Sequence, residues 1–259
     1  MKRALITLLT TATIAFSATP EQVEAYLSVS NAEEQLVQLE SMFDSMQAML
    51  KQDANVSSAY DSQMLSLRFR KKLEELLSED EMNEILENYK DVLYLQFVSA
   101  TNNVDYDGEA IEAYYKKAQK DEELKARLDY IKEITKNLYK EEYLKEYFQA
   151  LVEPFYKKSS SDKGLIEKQQ EAYIETMVSN GEKIMLYSLK EFSTEELEAL
   201  ASFMKRSSID TETKTIYKAL VYAMQEYFNS LLMAFDNSIP QHQQYNIDSN
   251  VSTPPKGKQ

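Results

Sequence analysis

Leu77-Ser78-Glu79-Asp80-Glu81-Met82-Asn83-Glu84-Ile85-Leu86-Glu87-Asn88-Tyr89-Lys90-Asp91-Val92-Leu93-Tyr94-Leu95-Gln96-Phe97 is the stretch that decides the fold class. Within it Met82, Ile85, Leu86, Tyr89, Val92, Leu93 and Phe97 recur at spacings of three and four, which places them on one face of a helix. Acidic residues and Lys fill the opposite face. Ser78 and Glu81 stand at the spacing of a capping box, in which each side chain accepts a backbone N–H that the first helical turn leaves unpaired.

The same helical stripe recurs in Leu36, Leu39, Phe43, Met46 and Leu50, in Tyr143, Leu144, Tyr147, Phe148, Leu151 and Phe155, and in Ile216, Leu220, Met224, Phe228, Leu231 and Phe235. Composition agrees. Average usage would put about 18 glycines in a chain of this length, and there are four. Turn-rich β architectures need glycine at positive φ, whereas long helices do not. The expectation is therefore an all-α array or bundle of about ten helices.

Breaks separate the helices. Ser30-Asn31 opens one that runs to about Gln52, and Asp53 to Ser58 is a polar break. Ser193 with Glu196 forms a second capping box, and Asp107-Gly108 starts another helix. Ser159 to Gly164 and Ser179-Asn180-Gly181 read as further breaks, and Pro154 predicts a kink or an early end. The box at Ser78 resembles the one at Ser193, at an offset of 115 residues, which suggests two related halves near 18–118 and 119–236. Residues 237–259, with three prolines and few large apolar side chains, read as a disordered tail.

The first residues carry an address. Lys2 and Arg3, the apolar run Ala4 to Phe16, and the small residues Ser17-Ala18 match a cleavable signal peptide, residues 1–17, too short to span a bilayer. A periplasmic or secreted protein is expected. Loss of Lys2 and Arg3 takes the formal charge from −14 to −16. So acidic a chain repels phosphate backbones and anionic lipid surfaces, which excludes nucleic acid as a partner class. No cysteine is present and His242 is the lone histidine, so thiol chemistry and Cys- or His-based metal sites have no material.

Tyr187, Phe192-Ser193-Thr194-Glu195-Glu196-Leu197, Leu200 and Phe203 resemble a family of exported bacterial helical domains of unknown function, with the signature F-[TS]-x-x-E-L-x-x-L-x-x-F. Tyr26-Leu27 followed by Ser30 to Leu36 looks like that family's earlier helical pair. The chain departs from the pattern after Phe203, where Met204 and Arg206-Ser207-Ser208-Ile209 replace Tyr and a Ser-Pro-x-Gly turn. The resemblance implies a helical fold and export, and no activity.

Candidate sites are few. Asn55 in Asp53-Ala54-Asn55-Val56-Ser57 and Asn250 in Asp248-Ser249-Asn250-Val251-Ser252 are Asp-preceded sequons of the bacterial N-glycosylation type. Asn103, Asp105 and Asp107, followed by Gly108, match the first half of a calcium loop, but the twelfth position is Tyr114 in place of a bidentate Glu, and Asp107 reads equally as a helix cap. Tyrosines between Tyr106 and Tyr156 suit a ligand cavity, though such stripes more often pack the core. Glu141 with Lys145 reads as a solvated i,i+4 pair. There is no nucleophile elbow, phosphate loop or H-E-x-x-H. No cofactor is implied. The leading expectation is a non-catalytic envelope protein that contacts another protein through its helix faces. The alternative is a carrier of a small apolar or acyl ligand between Tyr- and Met-lined helices, and an enzyme relying on Glu, Asp, Tyr or Lys comes third.

Overall fold

The computed structural model describes residues 17–32, 36, 63–102, 107–159 and 162–238. The signal segment before Ser17, the helix expected to reach Gln52, the sequons at Asn55 and Asn250, Asn103, Asp105, His242 and the tail beyond Ser238 lie outside them. The described residues are helical, as the spacing predicts: α1 (Pro20–Ser30), α2 (Gln63–Leu76), α3 (Glu79–Asn88), α4 (Val92–Asn102), α5 (Gly108–Ala118), α6 (Glu122–Leu138), α7 (Glu141–Tyr147), α8 (Glu153–Ser159), α9 (Lys163–Ser188), α10 (Thr194–Phe203) and α11 (Ser207–Ser238). The one non-helical pairing among them is an antiparallel bridge between Ser17 and Ser78.

Capping explains the helix starts. Both expected boxes form, Ser78 with Glu81 and Ser193 with Glu196, and a third joins Thr19 to Gln22 ahead of Pro20. Asp107 and Asp162 cap α5 and α9 through their side chains. Asn31, at φ 58, ends α1 in the left-handed conformation that asparagine tolerates.

Three local expectations need correction. The stripe from Met82 to Phe97 is two helices, because Asp91 Oδ1 accepts the N–H groups of Leu93 (2.9 Å) and Tyr94 (3.3 Å) and starts α4 afresh. The turn rotates the pattern, so Val92 is exposed while Tyr94 and Phe97 are buried. Pro154 does not end its helix. A π-helical turn, Phe148–Val152, joins α7 to α8, and the wider turn takes up a residue that has no N–H and crowds the preceding carbonyls. Ser179-Asn180-Gly181 is no break, since α9 runs through it for 26 residues. Gly181 serves contact instead: a Cβ there would lie 2.8 Å from Cζ of Tyr139.

α11, 32 residues long, is the spine. It packs along α2 and α3 and touches α6, α7 and the π turn. α9 and α10 pack on α6, and α1 lies across α2 and α3. A single hydrophobic cluster runs from Ala18 through Leu65, Ile85, Ile131 and Leu200 to Tyr227. An offset of 115 residues carries α3 onto α10 and the starts of their following helices, Val92 and Ser207, onto each other. In both places a neighbouring group donates to the carbonyl just before the capping Ser: Ala18 N to Leu77 O at 2.8 Å, and the buried guanidinium of Arg127 to Phe192 O.

Candidate functional site

Glu212 lies on the inward stripe of α11, between Ile209 and Ile216, and is 5% exposed. Three tyrosines converge on it from elsewhere in the chain. Tyr26 of α1 donates its O–H to Oε1 at 3.1 Å, Tyr89 of the α3–α4 turn donates to the same oxygen, and Tyr94 of α4 donates to Oε2 at 3.1 Å. Their rings brace one another edge to face, with centroids 5.9 Å apart for Tyr26 and Tyr89 and 5.0 Å for Tyr89 and Tyr94. The α3–α4 turn is what makes this possible, since it brings Tyr89 and Tyr94 round to one oxygen pair.

Burial pushes the Glu212 carboxyl up to about 7, against the three phenol hydrogen bonds that favour its charged form. Burial likewise raises Tyr26, Tyr89 and Tyr94 well above the ordinary phenol range, with the Glu212 charge adding to the shift, so they stay protonated donors. Among the described residues no Lys, Arg or His offsets the carboxylate. A buried charge is ordinarily paired with an opposite one.

Glu212 and its tyrosines wall a half-open cavity of about 210 Å³, whose lining also includes Phe69, Val98 and the chain around Ser30 and Asn102. α1 ends at Ser30, and Asn102 Nδ2 of α4 donates to the Ser30 carbonyl at 3.2 Å, which ties α4 to the end of α1 at the cavity wall. Thr101, Asn102, Ile216 and Leu220 also wall a second, more open space of about 530 Å³. That cleft is lined by Tyr139, Tyr147, Tyr173 and Tyr217 with Met177, Met185 and Met224, and by no charged side chain. The two spaces therefore share four lining residues: the larger is an uncharged cleft, and the smaller is a chamber bearing one carboxylate.

The residues singled out in the sequence fall elsewhere. Asp107 accepts the N–H groups of Glu109 (3.0 Å) and Ala110 (3.2 Å), as a helix cap does. Glu141 pairs with Lys145 at 2.7 Å on the surface. Among the described residues no group of three His, Cys, Asp or Glu is gathered as a metal site would need. Of the tyrosines between Tyr106 and Tyr156, Tyr139 and Tyr147 line the outer cleft, while those that hold Glu212 lie outside that range. Glu212 itself escaped notice. Its signal was a carboxylate standing in an apolar stripe, Ile209, Glu212, Ile216 and Leu220, at the same helical spacing as its neighbours.

The arrangement offers a tuned carboxylate held by three phenol donors. No helix among the described residues is long and apolar enough to cross a membrane. Comparison with protein-family models, curated proteins and solved structures returned no match.

Proposed function

We propose that this protein is an exported, non-catalytic carrier that holds a small amphipathic molecule in the cleft between α4, α6, α7, α9 and α11. The observation that carries the reading is the uncharged Tyr- and Met-lined cleft of about 530 Å³, which shares walls with the chamber at Glu212. Its size and lining are those of small-molecule sites, and methionine adapts to ligands of irregular shape. The helix-face interaction module ranks below it. Val29, Met64, Leu67, Val92, Leu95, Leu165 and Tyr222 are exposed, but they are spread over five helices with at most two on any one, and scattered apolar residues are ordinary on any surface.

Export is supported by the charged, apolar and small-residue order of Met1 to Ala18. The likeness of Phe192 to Phe203 to exported helical domains points to the same compartment.

Native mass spectrometry of protein freshly purified from its own host tests the carrier. A co-purifying small molecule is the expected result, on a polypeptide whose first residue is Ala18. A polypeptide free of ligand, together with no displacement of an apolar dye by host lipid extract, would remove the reading. Recovery of a chain still carrying residues 1–17 would remove export.

A further inference from the structure

We infer that the chamber beside Glu212 takes the ammonium head group of a cationic amphiphile, whose apolar tail lies in the Tyr- and Met-lined cleft. This rests on the carrier reading above and names the ligand class for that site.

Four observations converge on a cation. First, Glu212 is 5% exposed, its two oxygens face the phenols of Tyr26, Tyr89 and Tyr94, and no described cation offsets it. A carboxylate or phosphate head group would meet it with like charge in a medium of low dielectric, and a hydroxyl would leave it uncompensated. Second, neither the chamber nor the cleft is lined by any Lys, Arg or His among the described residues, so an anionic head finds no counter-charge along the way. Third, α1 ends at the chamber wall, at Ser30, with Asn31 as its cap. Helix C-termini carry partial negative charge, which adds to the field of the carboxylate. Fourth, the rings of Tyr26, Tyr89, Tyr94 and Phe69 line the same space, and aromatic walls with a carboxylate are a favourable setting for an ammonium group.

The fold does not need the charge there. At the offset of 115 residues that superimposes the two capping boxes, Glu212 corresponds to Phe97, Tyr89 to Met204 and Tyr94 to Ile209, all apolar and buried. The corresponding positions of the other helix–turn–helix are thus filled by hydrocarbon. A volume of about 210 Å³ holds several waters, which is room for an ammonium group bearing methyl substituents.

The test is calorimetric titration of the full mature chain, near pH 8, with octylammonium, octanoate and octanol, below their aggregation concentrations. Octylammonium should bind at least about tenfold tighter than octanoate to the unaltered protein, a comparison that needs no variant. In Glu212→Gln, octylammonium should weaken by about tenfold or more, with an unchanged far-ultraviolet dichroism spectrum showing that the variant is folded. If octanol binds but octanoate matches octylammonium, or Glu212→Gln leaves octylammonium unchanged, the head-group assignment falls and the carrier stands. If none of the three binds, both fall.

Discussion

An ionised carboxylate surrounded by Tyr26, Tyr89 and Tyr94 is less well solvated than one in water, and this has a definite sign for stability. The Glu212 carboxyl titrates at about 7 in the folded protein against an ordinary 4.5. Between those values the folded state holds more protons than the unfolded state, so stability falls as pH rises. The contribution is fully present below about pH 4.5 and is lost by about pH 8, a total on the order of 3 kcal/mol. Thermal melts at pH 5, 6, 7 and 8 should show the unaltered protein losing stability relative to Glu212→Gln across that window; parallel curves would show that Glu212 does not titrate there. Capping carboxylates act in the opposite sense. Glu81 and Glu196 are held below the ordinary range by the backbone N–H and hydroxyl of Ser78 and Ser193, so their contribution is lost as pH falls through the acid range. Ser78→Ala or Ser193→Ala should each cost about 1 kcal/mol in urea denaturation. The two boxes were legible because their residue types and spacing are themselves the interaction. Glu212 was not, because its partners come from α1, the α3–α4 turn and α4, and among 43 acidic residues only its place in an apolar stripe set it apart.

Individual helices report how glycine, proline and arginine are used. Gly→Ala inside a helix ordinarily stabilises by about 1 kcal/mol. At Gly181 that gain should be absent, because the new methyl meets the Tyr139 ring and forces it to shift. The gain should return in a Tyr139→Ala background, and a double-mutant cycle of urea midpoints reads the coupling. Additive effects would mean that the ring moves aside at no cost. Arg127 is 8% exposed and donates to the carbonyls of Phe192, Leu189 (2.8 Å) and Lys190 (3.1 Å) where α9 ends and α10 begins. Arg127→Met removes three hydrogen bonds, the Leu189 carbonyl keeping only the Phe192 N–H, and should cost about 3 kcal/mol. Arg127→Lys should recover little, since one ammonium cannot span three carbonyls as the guanidinium fork does. Helix existence was legible from periodicity alone. The misread breaks share one cause: glycine and proline mark departures from the average helix, and here tertiary contact at Gly181 and a π turn before Pro154 absorb them without ending it.

Across the whole molecule the two halves share one core. α11 belongs to the C-terminal half yet packs along α2 and α3, and buried residues form a continuous cluster from Ala18 to Tyr227. Unfolding should therefore be a single transition, with calorimetric and van't Hoff enthalpies equal and with helix content and near-ultraviolet dichroism lost together. Two separated transitions would show halves that fold alone. Pairing at this scale was beyond the sequence, because a stripe names the face a helix buries and not the helix it meets. The phenols on Glu212 have one more consequence, in light. The chain has eighteen tyrosines and no tryptophan, so nothing masks tyrosine emission. A photoexcited phenol is a far stronger acid than the same phenol in its ground state, and Tyr89 already points its proton at a carboxylate. With Glu212 ionised, excitation is expected to pass that proton to it and to shift part of the emission toward the longer wavelengths of tyrosinate, a band that Glu212→Gln should lack.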